Sequence, residues 1–385
     1  MPLNHRIKFP KLNFMSLAQK NFILFWGLIF LNSSLAHGFP DTVRHGYTNC
    51  TTCHLSPSGG GLLTPYGRSL SSELLSTWGT EDEAQWLHGI FQTKMNSKVE
   101  TSFGGDVRYL DKVEYEDHKH NEHEGFLMQA QLRGALSYET FKLIASLGKI
   151  EDPKESSAIK PVSPEHYVLW SLKEEIYFRF GKFEPIYGLR LPDHNLFIKS
   201  AVELVPWLER EGAEFIYEGE KQMLSVSGFQ STSEMPANLQ KTGFSLSYNQ
   251  IVGDSQRLGL SSMSTEGQGS RSQSFSLHGT LHFSEKDYLH WDLTKASSND
   301  ITKNVSFFRW SYEITKGLSP FLQYQSKKTL SSSNTQSSSA SEFKSAIGAI
   351  WFPRPHFELM AFIESHHSDT KKTENESFFL FHYYL

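Results

Sequence analysis

From about residue 98 onward the chain alternates apolar and polar residues one for one, in segment after segment. Val99, Thr101, Phe103, Val107 and Tyr109 alternate with Glu100, Ser102, Asp106 and Arg108. Phe275, Leu277, Leu281 and Phe283 alternate with Ser274, Ser276, His278, Thr280 and His282, and Phe308, Trp310, Tyr312 and Ile314 with Arg309, Ser311 and Glu313. Successive side chains of a strand point to opposite faces, so the pattern marks a sheet with one apolar and one polar face. About 16 such segments of about ten residues occur, the length a tilted strand needs to cross a bilayer. The intervals between them alternate. Long ones fall near 111–123, 151–164, 184–211, 231–242, 265–272, 297–303, 329–341 and 367–376. Short ones fall near 139–140, 173–175, 219–220, 253–255, 284–286, 316–317 and 353–355. Outer-membrane barrels carry long loops outside and short turns on the periplasmic side. A soluble sandwich or β-helix would hide its apolar faces and need no such rhythm. Residues 97–385 therefore read as an all-β unit, an antiparallel transmembrane barrel of about 16 strands with both ends periplasmic.

The rest of the chain is consistent with export. Mean hydropathy is -0.42, far from a bundle of transmembrane helices, each of which needs about 20 mostly apolar residues. Lys8, Lys11 and Lys20 precede an apolar run from Phe22 to Leu31, followed by Ser34-Leu35-Ala36. That is the layout of a secretory signal peptide over residues 1–36, with Met15 an alternative start. Its removal takes away four of the 37 Lys+Arg and none of the 42 acids, leaving a formal charge of −9. This balance argues against nucleic acid as a partner. At the far end Phe379, Phe381, Tyr383 and Leu385 share one face, which resembles the C-terminal signal read by the barrel-assembly machinery.

The only two cysteines stand in Cys50-Thr51-Thr52-Cys53-His54. This is the spacing of c-type haem attachment: each thiol takes one vinyl group and the next residue places an imidazole on the iron. A short-range disulfide, a redox pair and a zinc site are the competing readings. A redox pair would want a thioredoxin-like strand-to-helix turn, and zinc would want further ligands. Residues 37–96 thus read as a segment for one covalent haem c, mostly loop and short helix. The Gly/Pro-rich stretch 56–68 could wrap a porphyrin face, and Leu70, Leu74, Leu75 and Trp78 are helical apolar positions. So small a unit needs a staple or a partner, and the barrel lumen is the expected one, with the segment as its plug. Met95, His88 and His45 are candidates for the second iron ligand, beside a lumen-facing histidine of the wall.

With outward faces apolar, Glu100, Asp106, Arg108, Gln131, Arg133, His278, His290 and Arg309 are expected to line the lumen. Residues 111–124 hold alternating carboxylates and imidazoles, which suit divalent first-row metals but equally make a solvated acidic loop. The segment 181–194 resembles porin segments that precede an infolded constriction loop.

A signal peptide, one Cys-x-x-Cys-His segment and a porin-like barrel in a single chain resemble the fused cytochrome–porins, among them the outer-membrane iron-oxidising cytochromes. The resemblance implies thioethers at Cys50 and Cys53, with His54 on the iron. It also implies electron transfer across the outer membrane, between an external donor or acceptor and a periplasmic c-type cytochrome or other carrier. The implied chemistry is electron transfer, with Fe²⁺ oxidation as one form of it, rather than bond making. The assembly would be a monomer or a homotrimer. The alternative reading is a solute channel whose haem segment is plug, redox gate or sensor; a third is a structural barrel with a disulfide-stapled N-terminal domain.

Overall fold

The computed structural model describes residues 50–80, 83, 92–94 and the chain from 98 onward, apart from 116–121, 151–162, 194, 205–209, 233–239, 254–255, 268 and 333–336. The expected signal peptide and the ligand candidates His45, His88 and Met95 lie outside the described residues.

Sixteen strands close into one barrel. A three-residue strand β1 (Gln92–Lys94) is followed by β2 (Val99–Tyr115), β3 (Glu122–Tyr138), β4 (Phe141–Ile150), β5 (His166–Lys173), β6 (Ile176–Phe183), β7 (Arg210–Glu218), β8 (Gln222–Ser231) and β9 (Thr242–Val252). Then come β10 (Gln256–Gly267), β11 (Ser270–His282), β12 (Asp287–Ser298), β13 (Ile301–Tyr312), β14 (Leu318–Ser332), β15 (Ser337–Trp351), β16 (Phe357–Ser368) and β17 (Lys371–Tyr384). Each pairs antiparallel with the next from β2 to β17, and β17 returns to β2, Tyr384 opposite Asp106 and Asn375 opposite Tyr115. β1 pairs with Glu100–Ser102 of β2, beyond the point where β17 ends. Closure leaves no open edge, the only way a sheet satisfies its backbone groups inside a bilayer.

The predicted alternation is the alternation of the wall. Phe103, Val107, Tyr109, Leu132, Phe275, Leu277, Phe308, Trp310 and Tyr312 are exposed on the outside, as a lipid-facing belt requires. Asp106, Gln131, His278, His290 and Arg309 are buried on the inside. Charge inside is neutralised in pairs: Arg179 with Glu214, Lys344 with Glu364, Lys112 with Glu376.

All seven short turns fall where the sequence puts them. Five of the expected long loops do not. Only two residues separate β10 from β11, β12 from β13 and β16 from β17, β14 and β15 reach to Ser332 and Ser337, and β2 and β3 reach to Tyr115 and Glu122. Beyond the bilayer both faces of a strand meet water, so the apolar alternation stops while the hydrogen-bonded ladder continues. Ser/Thr/Glu/Lys-rich hairpin ends therefore look like loop in sequence.

The long segment after β6 turns inward. Residues 184–204 carry Tyr187, Leu189, Leu191, Leu196, Phe197, Ile198, Val202 and Leu204, which pack on Phe229, Met263, Val305 and Phe307 of the wall. Gly188 N donates to Ser261 Oγ at 3.0 Å, Leu189 N to Asp292 Oδ2 at 3.0 Å and Phe197 N to Gln325 Oε1 at 2.9 Å. The helical turn Phe197–Ala201 sits inside the lumen, and the Asp193 carboxylate accepts from Nη1 and Nη2 of Arg309 at 3.1 and 3.0 Å.

Candidate functional site

The N-terminal segment fills the other part of the lumen. Cys50–Cys53 form one helical turn, and His54 N donates to Cys50 O at 2.8 Å. At about 100° per residue, positions i, i+3 and i+4 share one side of a helix. Local backbone geometry alone therefore puts both thiols and the imidazole on one face. The turn begins against a wall carboxylate: Cys50 N and Thr51 Oγ1 donate to Glu218 at 2.8 and 2.9 Å. An anion there satisfies a helix-start N–H that has no intrahelical partner.

The next stretch folds back over this turn. Gly59, Gly60 and Gly61 all have positive φ, 74°, 70° and 65°, a run that side chains with a Cβ adopt only with strain. It lets Leu55 N reach Leu62 O at 2.9 Å and Thr64 N reach Cys53 O at 2.9 Å. Thr64 then caps the helix Pro65–Leu70, its hydroxyl accepting from Gly67 N at 3.0 Å with Pro65 at the first turn. A π-helical turn, Ser71–Leu75, follows. Buried Leu55, Leu62, Leu63 and Leu70 hold the segment, each contributing about 2 kcal/mol.

Wall and loop grip it as well. Arg179 Nη1 donates to Ser58 Oγ at 3.0 Å, Arg190 Nη1 to Ser58 O at 2.9 Å, and Arg68 Nη2 to Phe103 O at 2.6 Å. Thr77 N and Trp78 N donate to Phe352 O and Pro353 O, and Trp78 packs edge-on against Trp351 at 5.3 Å. Glu218, Phe352 and Pro353 lie at short turns, so the cysteine turn and the exit of the segment are both at the short-turn rim.

Cys50, Cys53 and His54 line one cavity of about 420 Å³ together with Leu63, Leu70, Leu74 and Leu75 of the plug and Arg133, Tyr187, Met360 and His382 opposite. The volume is that of a small-molecule pocket, about 300–1,000 Å³. Burial pushes the Cys50 thiol up to about 12, helped by Glu218, and raises Cys53 too. Burial brings His54 down to about 4; a hydrogen bond to the Gly60 backbone opposes this, and Arg133 and Arg190 add to it. The imidazole is thus neutral, the form that ligates metal. The thiols are unlinked, and among the described residues no group of three or more His, Cys, Asp and Glu is placed to hold a bare metal ion. The donor set, its one-sided presentation and the leucine-lined space fit a covalently held haem: Cys50 and Cys53 would carry it and His54 would ligate it.

Gly67 shows how tightly this is built. A Cβ there would lie 2.2 Å from Cys53 O. Gly67→Val is expected to cost roughly 1–3 kcal/mol or more by overpacking, and to lower the fraction of chains carrying haem several-fold on a haem-stained gel with equal barrel present.

Of the acidic and histidine-rich loop, Asp111 meets His123 Nε2 at 2.5 Å, and Lys112 pairs with Glu114 at 3.4 Å and with Glu376. Residues 116–121 lie outside the described residues. Of the segment 181–194, which sequence connects to an infolded loop, residues 181–183 end β6, 184–193 fold inward, and His194 lies outside the described residues. Sequence reasoning passed over Glu218, Arg179, Glu358 and His382, and met Arg190 only as part of the segment 181–194. Each is one polar residue in an alternating strand or loop, with nothing local to mark it.

In fold the chain is similar to porins. OmpT of Vibrio cholerae with its loop L8 deleted superposes with a TM-score of 0.59 at 12% identity, covering 75% of this chain and 100% of that one. An anion-selective porin from Comamonas acidovorans gives 0.58 at 10%, with 75% and 100% covered. OmpT in a trimer form gives 0.55 at 10%, again with 75% and 100% covered. No protein-family model and no curated protein matches the chain. The barrel is thus of the 16-strand porin type.

Proposed function

We propose that the chain is an outer-membrane porin-type channel whose lumen is plugged by its own N-terminal segment, with one c-type haem carried on that plug. The observation that carries this reading is the cysteine turn inside the barrel, its two thiols and imidazole lining one cavity. In the membrane the short-turn rim faces the periplasm, which puts the haem turn at the inner mouth, and the assembly is a homotrimer like the OmpT form named above. The bound group supplies one reversible electron, and its potential is set by axial ligands, hydrogen bonds and burial. The plug then acts as a redox-responsive gate on solute passage.

A second reading is favoured by a specific observation. Plug and infolded loop pack against the inner wall, and wall residues such as Ser245, Ser276 and Thr280 have essentially no solvent exposure. A lumen obstructed in this way suits electron passage better than solute flow. The chain would then move electrons between an external donor or acceptor, ferrous iron among them, and a periplasmic c-type cytochrome.

Liposomes containing the purified protein and an enclosed electron acceptor test both. Solute efflux that changes with the redox state of the haem supports the gate. Acceptor reduction by an external, impermeant reductant, without solute flux, supports the electron path. A protein made in a host with haem-attachment machinery that shows no haem absorption overturns both.

A further inference from the structure

The plug supplies one imidazole, and the described residues of the plug offer no second. The wall does. We propose that His382 is the second axial ligand of the haem iron, opposite His54; this rests on the haem reading above.

His382 stands near the end of β17 on the inner face and lines the same cavity as His54. Its side chain is 9% exposed, and Nδ1 lies 2.7 Å from Glu358 Oε2 on β16. An ionised carboxylate only accepts, so the proton is on Nδ1 and the lone pair on Nε2. A carboxylate behind the far nitrogen of a histidine is the usual support of a metal-bound imidazole, because it fixes the tautomer and raises ligand basicity. Nε2 is buried with no hydrogen-bond partner. A buried acceptor in that state is costly to leave, and an iron centre would satisfy it.

The two histidines line one cavity. In the β17–β2 register His382 is opposite Arg108 and Tyr384 opposite Asp106. Asp106 is ion-paired with Arg133 of β3, and the charge of Arg133 acts on His54. All six side chains line the cavity. Of the other donors in the lining, His290 has a neutral hydroxyl rather than a carboxylate behind Nδ1, Thr280 Oγ1 at 3.0 Å, and Lys199 would first have to lose its proton. The Met360 thioether would give histidine–methionine iron, which has its own spectrum. Coordination by His382 also joins plug to wall across a sequence gap that no local contact spans.

The test uses the full-length haem-loaded protein in detergent. Near-infrared magnetic circular dichroism and electron paramagnetic resonance of the wild type are expected to give low-spin iron with two imidazoles. His382→Ala is expected to turn the ferric iron high-spin with haem stain retained, and added imidazole to restore low spin. His382→Met is expected to stay low-spin with a raised potential. Low-spin iron unchanged in His382→Ala, or a wild type with high-spin or histidine–methionine iron, overturns the proposal. If the alanine variant fails to assemble, His382→Met decides: a two-imidazole signature that persists in it overturns the proposal. A wild type without covalent haem overturns the haem reading instead, so the two failures are distinguishable.

Discussion

Replacing both Cys50 and Cys53 by alanine is expected to abolish haem staining on a denaturing gel, while the barrel still runs as a heat-modifiable folded band. The proposed attachment is through two thioethers from one helical turn, and no other cysteine exists to substitute. Barrel closure does not depend on them: every strand from β2 to β17 is satisfied by its neighbours. Either single substitution leaves one thioether and is expected to leave a minor, weaker-staining band. His54→Ala should keep both covalent bonds and change the spectrum, since the ligand rather than the tether is lost. Haem stain surviving in the double variant would refute attachment at this turn.

Deleting residues 50–78 is expected to raise single-channel conductance in planar bilayers at least about tenfold. A 16-strand barrel is wide enough for an aqueous channel once emptied. What now fills it at the short-turn rim is this segment, held by Leu55, Leu62, Leu63 and Leu70 and by Glu218, Arg179 and Arg190. The infolded loop stays, packed on Phe229, Met263 and Phe307, so the open state is expected to be a constricted pore rather than an empty tube. Thermal stability should fall, because Glu218 and Arg190 lose their partners and the apolar wall contacts are lost. Unchanged conductance would mean that the loop alone closes the lumen and the plug is no gate.

Much of this was legible before any coordinates. Alternation of the type Phe308, Arg309, Trp310, Ser311, Tyr312 defines a two-faced strand because the side-chain period is two, and the short turns are visible because they interrupt it. The misread loops are those where the strand runs on outside the bilayer, as from Ser337 to Glu342. There no difference between faces remains to be written into residue type. The helical spacing of Cys50, Cys53 and His54 is likewise local, so their convergence on one face follows from chain geometry.

Contacts at long sequence separation were not legible. Glu218 meets Cys50 across 168 residues, and Arg68 meets Phe103 across 35. In sequence each of these charged residues is one more polar residue that a lumen wall or a loop would carry anyway. Only closure of the barrel sets Arg133, Asp106 and His382 around one cavity with His54. The sequence by itself determined the two-faced strands, their near-complete turn pattern and the one-sided presentation of two thiols and an imidazole, because these depend on periods of two and 3.6. The tertiary structure alone decided that the turn docks inside the lumen, that residues 184–204 fold in to meet it, and that Glu358 backs a wall histidine there. Those outcomes depend on which strands become neighbours when the sheet closes, and no short stretch of chain carries that information.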